Sequence, residues 1–242
     1  MYDSLSTMKT QTFEFGGETL HLQVSSNTFE PNLTTRLLAD IVPIPPGARV
    51  LDLGCGVGPI AIVAARKGAG EVVGVDIMPE ACDTARQNAA LNGVDHQIRF
   101  LQSNLFENLE DERFDVIIDD VSGMAEGVSR ISPWYPATIP TGGPDGTGPT
   151  IRMLEQAADH LNPGGTLYFP VLSLADRDKM LATARFVFPE AVECVAEKWI
   201  PFCEEFKANL PALEAMQAEG LIDFTSKRSR HLWRLEIYRA TV

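Results

Sequence analysis

The chain has 242 residues, 45% of them hydrophobic and 22% charged, a composition that fits one large α/β domain. No apolar run reaches the ~20 residues needed to span a bilayer, and the polar start MYDSLSTMKTQT is no signal peptide, so a cytoplasmic protein with no membrane partner is expected. A formal net charge of −13 disfavours nucleic acid as a partner, and four cysteines without CxxC spacing and four scattered histidines predict neither a disulfide framework nor a metal site.

Along the chain, residues 13–24 alternate around Gly16-Gly17 and predict a β-hairpin. Its segment, 1–28, is expected to be an appendage to a main domain over 29–242. In Phe29-Glu30-Pro31-Asn32-Leu33-Thr34-Thr35, either Asn32 or Thr34 can cap a helix that carries Leu37 and Leu38. After Pro43, Pro45 and Pro46, strand and helix patterns alternate. Strands are predicted at 48–53, 71–76, 97–102, 114–119, 165–171, 192–199 and 231–240. Helices fall at about 59–67, 79–92, 150–161, 174–186 and 203–219. The first strands are continuous apolar runs, as in sheets covered on both faces. The expected fold is therefore α/β: a seven-stranded, mostly parallel, doubly wound (Rossmann-like) sheet with helices on both faces and a short N-terminal β-hairpin.

Two stretches stand outside this rhythm. Residues 121–149 show no helix or strand period, are rich in Gly, Pro and Ser, and contain Trp134 and Tyr135. A long loop after a central strand reads as a lid over a ligand. Residues 201–220 read as an extra amphipathic helix with Leu210, Leu213 and Met216 on one face. Covering the core is its default use; packing on the lid or forming a homodimer contact are the others.

The first strand runs into Asp52-Leu53-Gly54-Cys55-Gly56-Val57-Gly58, with a helix starting at about Pro59. Glycines allow a sharp turn and let a ligand lie directly on backbone. Dinucleotide enzymes have such a turn too, but here the third glycine follows the second by two residues and an acid precedes the loop. Asp52 would repel a pyrophosphate, yet it suits a ligand bearing an ammonium and a sulfonium. The cofactor that fits is S-adenosylmethionine (SAM). Asp76 ends the second strand about twenty residues on, where a carboxylate can accept hydrogen bonds from ribose hydroxyls. After the third strand, the amide oxygen of Asn104 can accept from an adenine amino group, and Leu105 can flank the ring.

The string LDLGCGVGPIAI, with Asp76 and SNLF downstream, is similar to the class I SAM-dependent methyltransferases over most of residues 29–171. Within that superfamily the chain resembles the glutamine N5-methyltransferases of release factors and their small-domain relatives. The likeness is carried by Phe29-Glu30-Pro31 through Thr35, by Gly142-Gly143-Pro144-Asp145-Gly146 and by Leu161-Asn162-Pro163-Gly164-Gly165. The resemblance implies that Phe29, Pro31 and Thr35 lie over the cofactor or acceptor mouth. It implies that Asp52, Gly54, Gly56, Asp76 and Asn104 bind SAM, with Cys55 and Ile77 beside them. The chain departs from the family at the end of the fourth strand. Asp120-Val121-Ser122-Gly123 stands where the family has Asn-Pro-Pro-Tyr, so the clamp for a planar amide is absent. The large N-terminal substrate domain of the release-factor enzymes is represented only by the hairpin.

Two chemistries suit this altered site. In the first, Asp120 with Asp119 orients or deprotonates a small-molecule amine or hydroxyl, Ser122 adds a hydrogen bond, and Trp134 and Tyr135 close over the acceptor. In the second, SAM is its own substrate. Its α-amine attacks its own Cγ, expelling methylthioadenosine and forming azetidine-2-carboxylate. Asp120 or Asp119 takes the proton while Tyr168, Trp134 or Tyr135 faces the sulfonium. Methyl transfer to a small molecule stands first and cyclisation second. A non-catalytic SAM-binding module is the third reading, opposed by the intact glycine turn and ribose acid.

Overall fold

A computed structural model of the chain describes residues 9–24, 30–121, 123–135, 139–189, 191–228 and 230–242. By its contacts the chain divides into two units, one reaching to Asp120 and including His160–Gly165, the other comprising Val121–Asp159 and Thr166–Val242.

The first unit opens with β1 (Lys9–Phe15) and β2 (Glu18–Val24), paired antiparallel across Gly16-Gly17 as the alternation predicts. Helix α1 (Leu33–Ile41) starts in a capping box. The Asn32 side chain accepts from the Thr34 and Thr35 amides at 2.8 and 3.3 Å, and Thr35 Oγ1 accepts from the Asn32 amide. Asn32 is thus the cap. Next come β3 (Arg49–Leu53), α2 (Pro59–Arg66), β4 (Glu71–Asp76), α3 (Pro79–Leu91), β5 (Ile98–Gln102) and β6 (Phe114–Asp119). The four strands are parallel in the order β5-β4-β3-β6. Val50, Leu51, Val72, Val73, Ile117 and Ile118 are all buried, which explains why these strands are apolar without alternation.

The hairpin is built into this unit. Phe15, Leu20 and Leu22 are buried, and a Cβ on Gly16 would lie 2.7 Å from Ala39 O and 2.8 Å from Val63 Cγ1, so only glycine fits there. Two side-chain amides, from Asn88 of α3 and from its C-cap Asn92, pair with the backbone of β2. Asn88 Oδ1 accepts from Gln23 N at 2.7 Å, and Asn92 Oδ1 accepts from His21 N at 3.1 Å.

The second unit holds α4 (Glu126–Ser129), α5 (Gly148–Ala157), most of β7 (Leu161–Leu172), α6 (Arg177–Val187), β8 (Val192–Pro201), α7 (Glu204–Ala208), α8 (Leu210–Ala218), β9 (Thr225–Lys227) and β10 (Arg230–Thr241). β10 runs antiparallel to β7, β8 and β9. The protein therefore has the expected α/β fold with a short N-terminal hairpin, and its multi-strand central sheet is mixed.

Two local expectations change. The helix expected over 203–219 is two helices, because Pro211 cannot continue a helix and instead sits in the first turn of a new one. The 121–149 stretch contains a one-turn helix, α4. Cys194 is exposed and Cys203 half-buried, whereas Cys55 and Cys82 are core thiols. At the heart of this unit, Glu236 of β10 is only 3% exposed. It accepts from Arg177 Nε at 2.6 Å and Arg177 Nη2 at 3.1 Å, and from the Tyr238 hydroxyl at 3.1 Å.

Candidate active site

The parallel register of the first unit sets Leu53 beside Val75 and Asp119, and Asp76 beside Gln102. The carboxyl ends of β3, β4, β5 and β6 thus share one edge of the sheet, the usual position for a ligand in an open α/β fold. Three aspartates, Asp52, Asp76 and Asp120, gather there.

Asp52 has no exposed surface. Its Oδ2 accepts from the Ala61 amide in the first turn of α2 at 2.9 Å, which locks the helix to the strand; its Oδ1 is buried with no hydrogen-bond partner among the described residues. Burial, then the charge of Asp120, pushes this carboxyl well above the ordinary range.

The glycine turn crosses to the end of β4. Gly54 N and Cys55 N both donate to Val75 O at 2.9 Å, and Gly56 N donates to Asp76 Oδ2 at 2.9 Å. Gly56 has φ +51° and nothing within 4 Å of where its Cβ would be, so its backbone presents an open face. Val57 O accepts from Asn88 Nδ2 at 2.9 Å.

Asp76 Oδ1 accepts from the Met78 amide at 2.9 Å. The Ile77 amide also donates to this carboxylate, which still keeps part of its lone-pair capacity. Burial raises this carboxyl, against the pull of the backbone bonds. The neighbouring Ile77 is 45% exposed, an apolar side chain left uncovered beside the acid. After β5, Asn104 Nδ2 donates to Glu107 Oε1 at 2.6 Å, which commits its amide nitrogen to the protein. Leu105 is buried and left-handed, with φ 55°.

Asp119 is fully buried at the end of β6. Asp120 follows it; its amide donates to Leu53 O at 2.9 Å, and its Oδ2 accepts from Thr35 Oγ1 at 2.7 Å. Burial pushes the Asp120 carboxyl up to about 7, while the Thr35 bond pulls it down. Thr35 is 5% exposed and joins the cap of α1 to the end of β6.

Phe29 and Ser122 lie outside the described residues. The other candidates belong to the second unit. Tyr168 is a buried residue of β7 opposite Arg239; burial raises its phenol, with Arg239 opposing. Trp134 leans on Phe206 of α7, ring centroids 5.2 Å apart, and the Tyr135 hydroxyl donates to Pro140 O at 2.7 Å. Sequence reasoning missed Asn88. Its signal was an amide in the apolar stripe Ala81, Ala85, Ala89 of α3, repeated four residues later by Asn92.

The methyltransferase domain model matches residues 44–201. The chain belongs to the methyltransferase domain family. A putative protein N5-glutamine methyltransferase from Methanocaldococcus jannaschii is 33% identical over 192 residues, 79% of this chain and 95% of that protein. A release factor glutamine methyltransferase from Agrobacterium fabrum is 33% identical over 169 residues, covering 64% of this chain and 57% of that protein. Among solved structures, the T. thermophilus 16S rRNA N2 G1207 methyltransferase, in complex with AdoMet and guanosine, matches with a TM-score of 0.63 and 17% identity. That match covers 98% of this chain and 51% of the other, so the chain spans little more than half of the last two relatives.

These relatives overturn the expected partners. A small-molecule acceptor and the exclusion of nucleic acid do not stand beside relatives named for protein glutamine and rRNA. Net charge is a whole-surface average and does not measure the site that docks a substrate. Among the described residues, no helix is long and apolar enough to cross a membrane.

The residues at the strand ends fit SAM. A buried carboxylate oxygen without a partner among the described residues, an open glycine backbone and three convergent acids form a surround for a cationic nucleoside.

Proposed function

We propose that this chain is a SAM-dependent methyltransferase acting on a nitrogen of a macromolecular acceptor, foremost a protein side chain. The observation that carries the reading is the glycine turn strung between Asp52 and Asp76, with an open face at Gly56 and a third acid, Asp120, at the next strand end. SAM supplies a methyl group already activated by its sulfonium. Asp52 balances the positive charge of the bound donor. Asp76 uses its remaining lone pairs for hydroxyls, Asn104 Oδ1 accepts from the base, and Ile77 and Leu105 flank it. Asp120, held by Thr35, orients the acceptor's N–H groups and takes the proton released on transfer. An ionised carboxylate only accepts hydrogen bonds, so it favours an acceptor that presents N–H donors.

A second reading is favoured by one observation, the replacement of Asn-Pro-Pro-Tyr by Asp120-Val121-Ser122-Gly123. A site without an amide clamp suits SAM as sole substrate, its amine closing on Cγ with loss of methylthioadenosine and Asp120 or Asp119 taking the amine proton. One experiment separates the readings. The purified protein is incubated with methyl-labelled SAM, alone and with macromolecular extract, and nucleoside products and label are followed by mass spectrometry. Methyl transfer is expected to give S-adenosylhomocysteine only with extract, with label in the protein fraction. Methylthioadenosine from SAM alone would install the cyclase reading instead. Intact SAM in both arms would leave a binding module and overturn both.

A further inference from the structure

We propose that Asn88 is a positioning residue that makes the N-terminal hairpin part of the cofactor site, an inference that rests on the SAM reading above. Asn88 lies in α3 with no exposed surface. A buried amide must satisfy both of its ends, so its partners fix its plane. Its Oδ1 accepts from Gln23 N at 2.7 Å, and its Nδ2 donates to Gln23 O at 3.1 Å and to Val57 O at 2.9 Å. The first two bonds imitate a neighbouring strand along the edge of β2. The third grips the glycine turn one residue beyond Gly56, whose own amide is held from the other side by Asp76.

The same plane therefore serves two masters. If β2 leaves, Asn88 Oδ1 loses its only donor from the hairpin and the side chain is free to rotate, releasing the Val57 carbonyl. If the turn is ordered by a ligand, the amide is held ready for β2. Coupling of this kind is reciprocal in free energy.

Asn92, one helical turn on, is a natural control. Its Oδ1 accepts from His21 N at 3.1 Å and its Nδ2 donates to His21 O at 2.8 Å, but its further Nδ2 bond goes to Asn88 O at 2.7 Å and not to the glycine turn. Both residues anchor the hairpin; only Asn88 reaches the turn.

The test uses S-adenosylhomocysteine as the probe, with calorimetric affinities for the wild type, Asn88→Ala and Asn92→Ala below all three melting temperatures. Both variants are expected to melt earlier. Affinity should fall about tenfold in Asn88→Ala, the size of one net hydrogen bond, and stay within about twofold of the wild type in Asn92→Ala. A second measurement needs no variant. Saturating wild-type protein with the probe should slow hydrogen exchange at the Gln23 amide. Equal affinities in the two variants, or Gln23 exchange indifferent to the probe, would overturn the coupling while leaving the SAM reading in place. A wild type that does not bind the probe would overturn both.

Discussion

A carboxyl raised to about 7 is half ionised at neutral pH, and this is the state in which Asp120 sits beside Thr35. Its folded value lies above the ordinary unfolded value near 4, so the folded chain binds the extra proton and stability from this group is lost as pH rises between the two values. The loss is at most about 1.4 kcal/mol per pH unit. Turnover runs the other way, rising through about pH 7 as the carboxylate forms. Thr35→Val removes the donor that favours the charged form, so the rate limb should move to higher pH, and Thr35→Ser should restore it. Asp120→Asn should slow turnover about a hundredfold or more and flatten the stability loss between pH 4 and 7. A pH–rate profile paired with melting curves reads both effects; a Thr35→Val limb that does not move removes Thr35 from the machinery. Asp120 itself was legible in the sequence as an acid after an apolar strand. Its pairing was not: the resemblance set Thr35 at the mouth, but nothing in a local pattern links a helix cap to a strand end 85 positions later.

At the scale of elements, β3, β4 and β6 were legible because burial on both faces writes itself as an apolar run. The glycine turn was legible because three closely spaced glycines mark backbone that other residue types adopt only at a steric cost. The break between α7 and α8 was written in Pro211 yet hidden by the amphipathic spacing that continues across it. Short β9 carries no apolar signal, since all three of its residues are exposed. The pairing of α6 with β10 was also invisible, because Arg177 and Glu236 are 59 residues apart. Burial pushes the Glu236 carboxyl up, but the Arg177 guanidinium outweighs it and holds the group below the usual carboxylate range. Removing Arg177 leaves this buried carboxylate with the more distant Arg234 Nε, at 3.4 Å, and the Tyr238 hydroxyl. Arg177→Met should therefore cost up to about 3 kcal/mol in chemical denaturation, the low end for a broken buried pair. A loss below about 1 kcal/mol would mean that Arg234 alone compensates the Glu236 charge.

For the whole molecule, family and cofactor were readable from one continuous stretch around Asp52, whereas the acceptor was not. A substrate surface is assembled from side chains remote in sequence, and a net charge of −13 averages over all of them. The relatives named for protein glutamine and rRNA corrected that part of the reading. Asp120, raised to about 7 beside Asp52 and Asp76, also leaves the resting site holding part of a proton near neutral pH. Burial raises all three carboxyls, and a sulfonium arriving among them would favour the ionised form of Asp120 and expel what it holds. Near neutral pH, the heat of SAM binding should then differ between Tris and phosphate by an amount proportional to the difference in the ionisation enthalpies of the two buffers. Equal heats would mean that SAM binding exchanges no net proton at the site. A measurable difference would make the proton a second ligand of the site, competing with SAM for the Asp120 carboxylate.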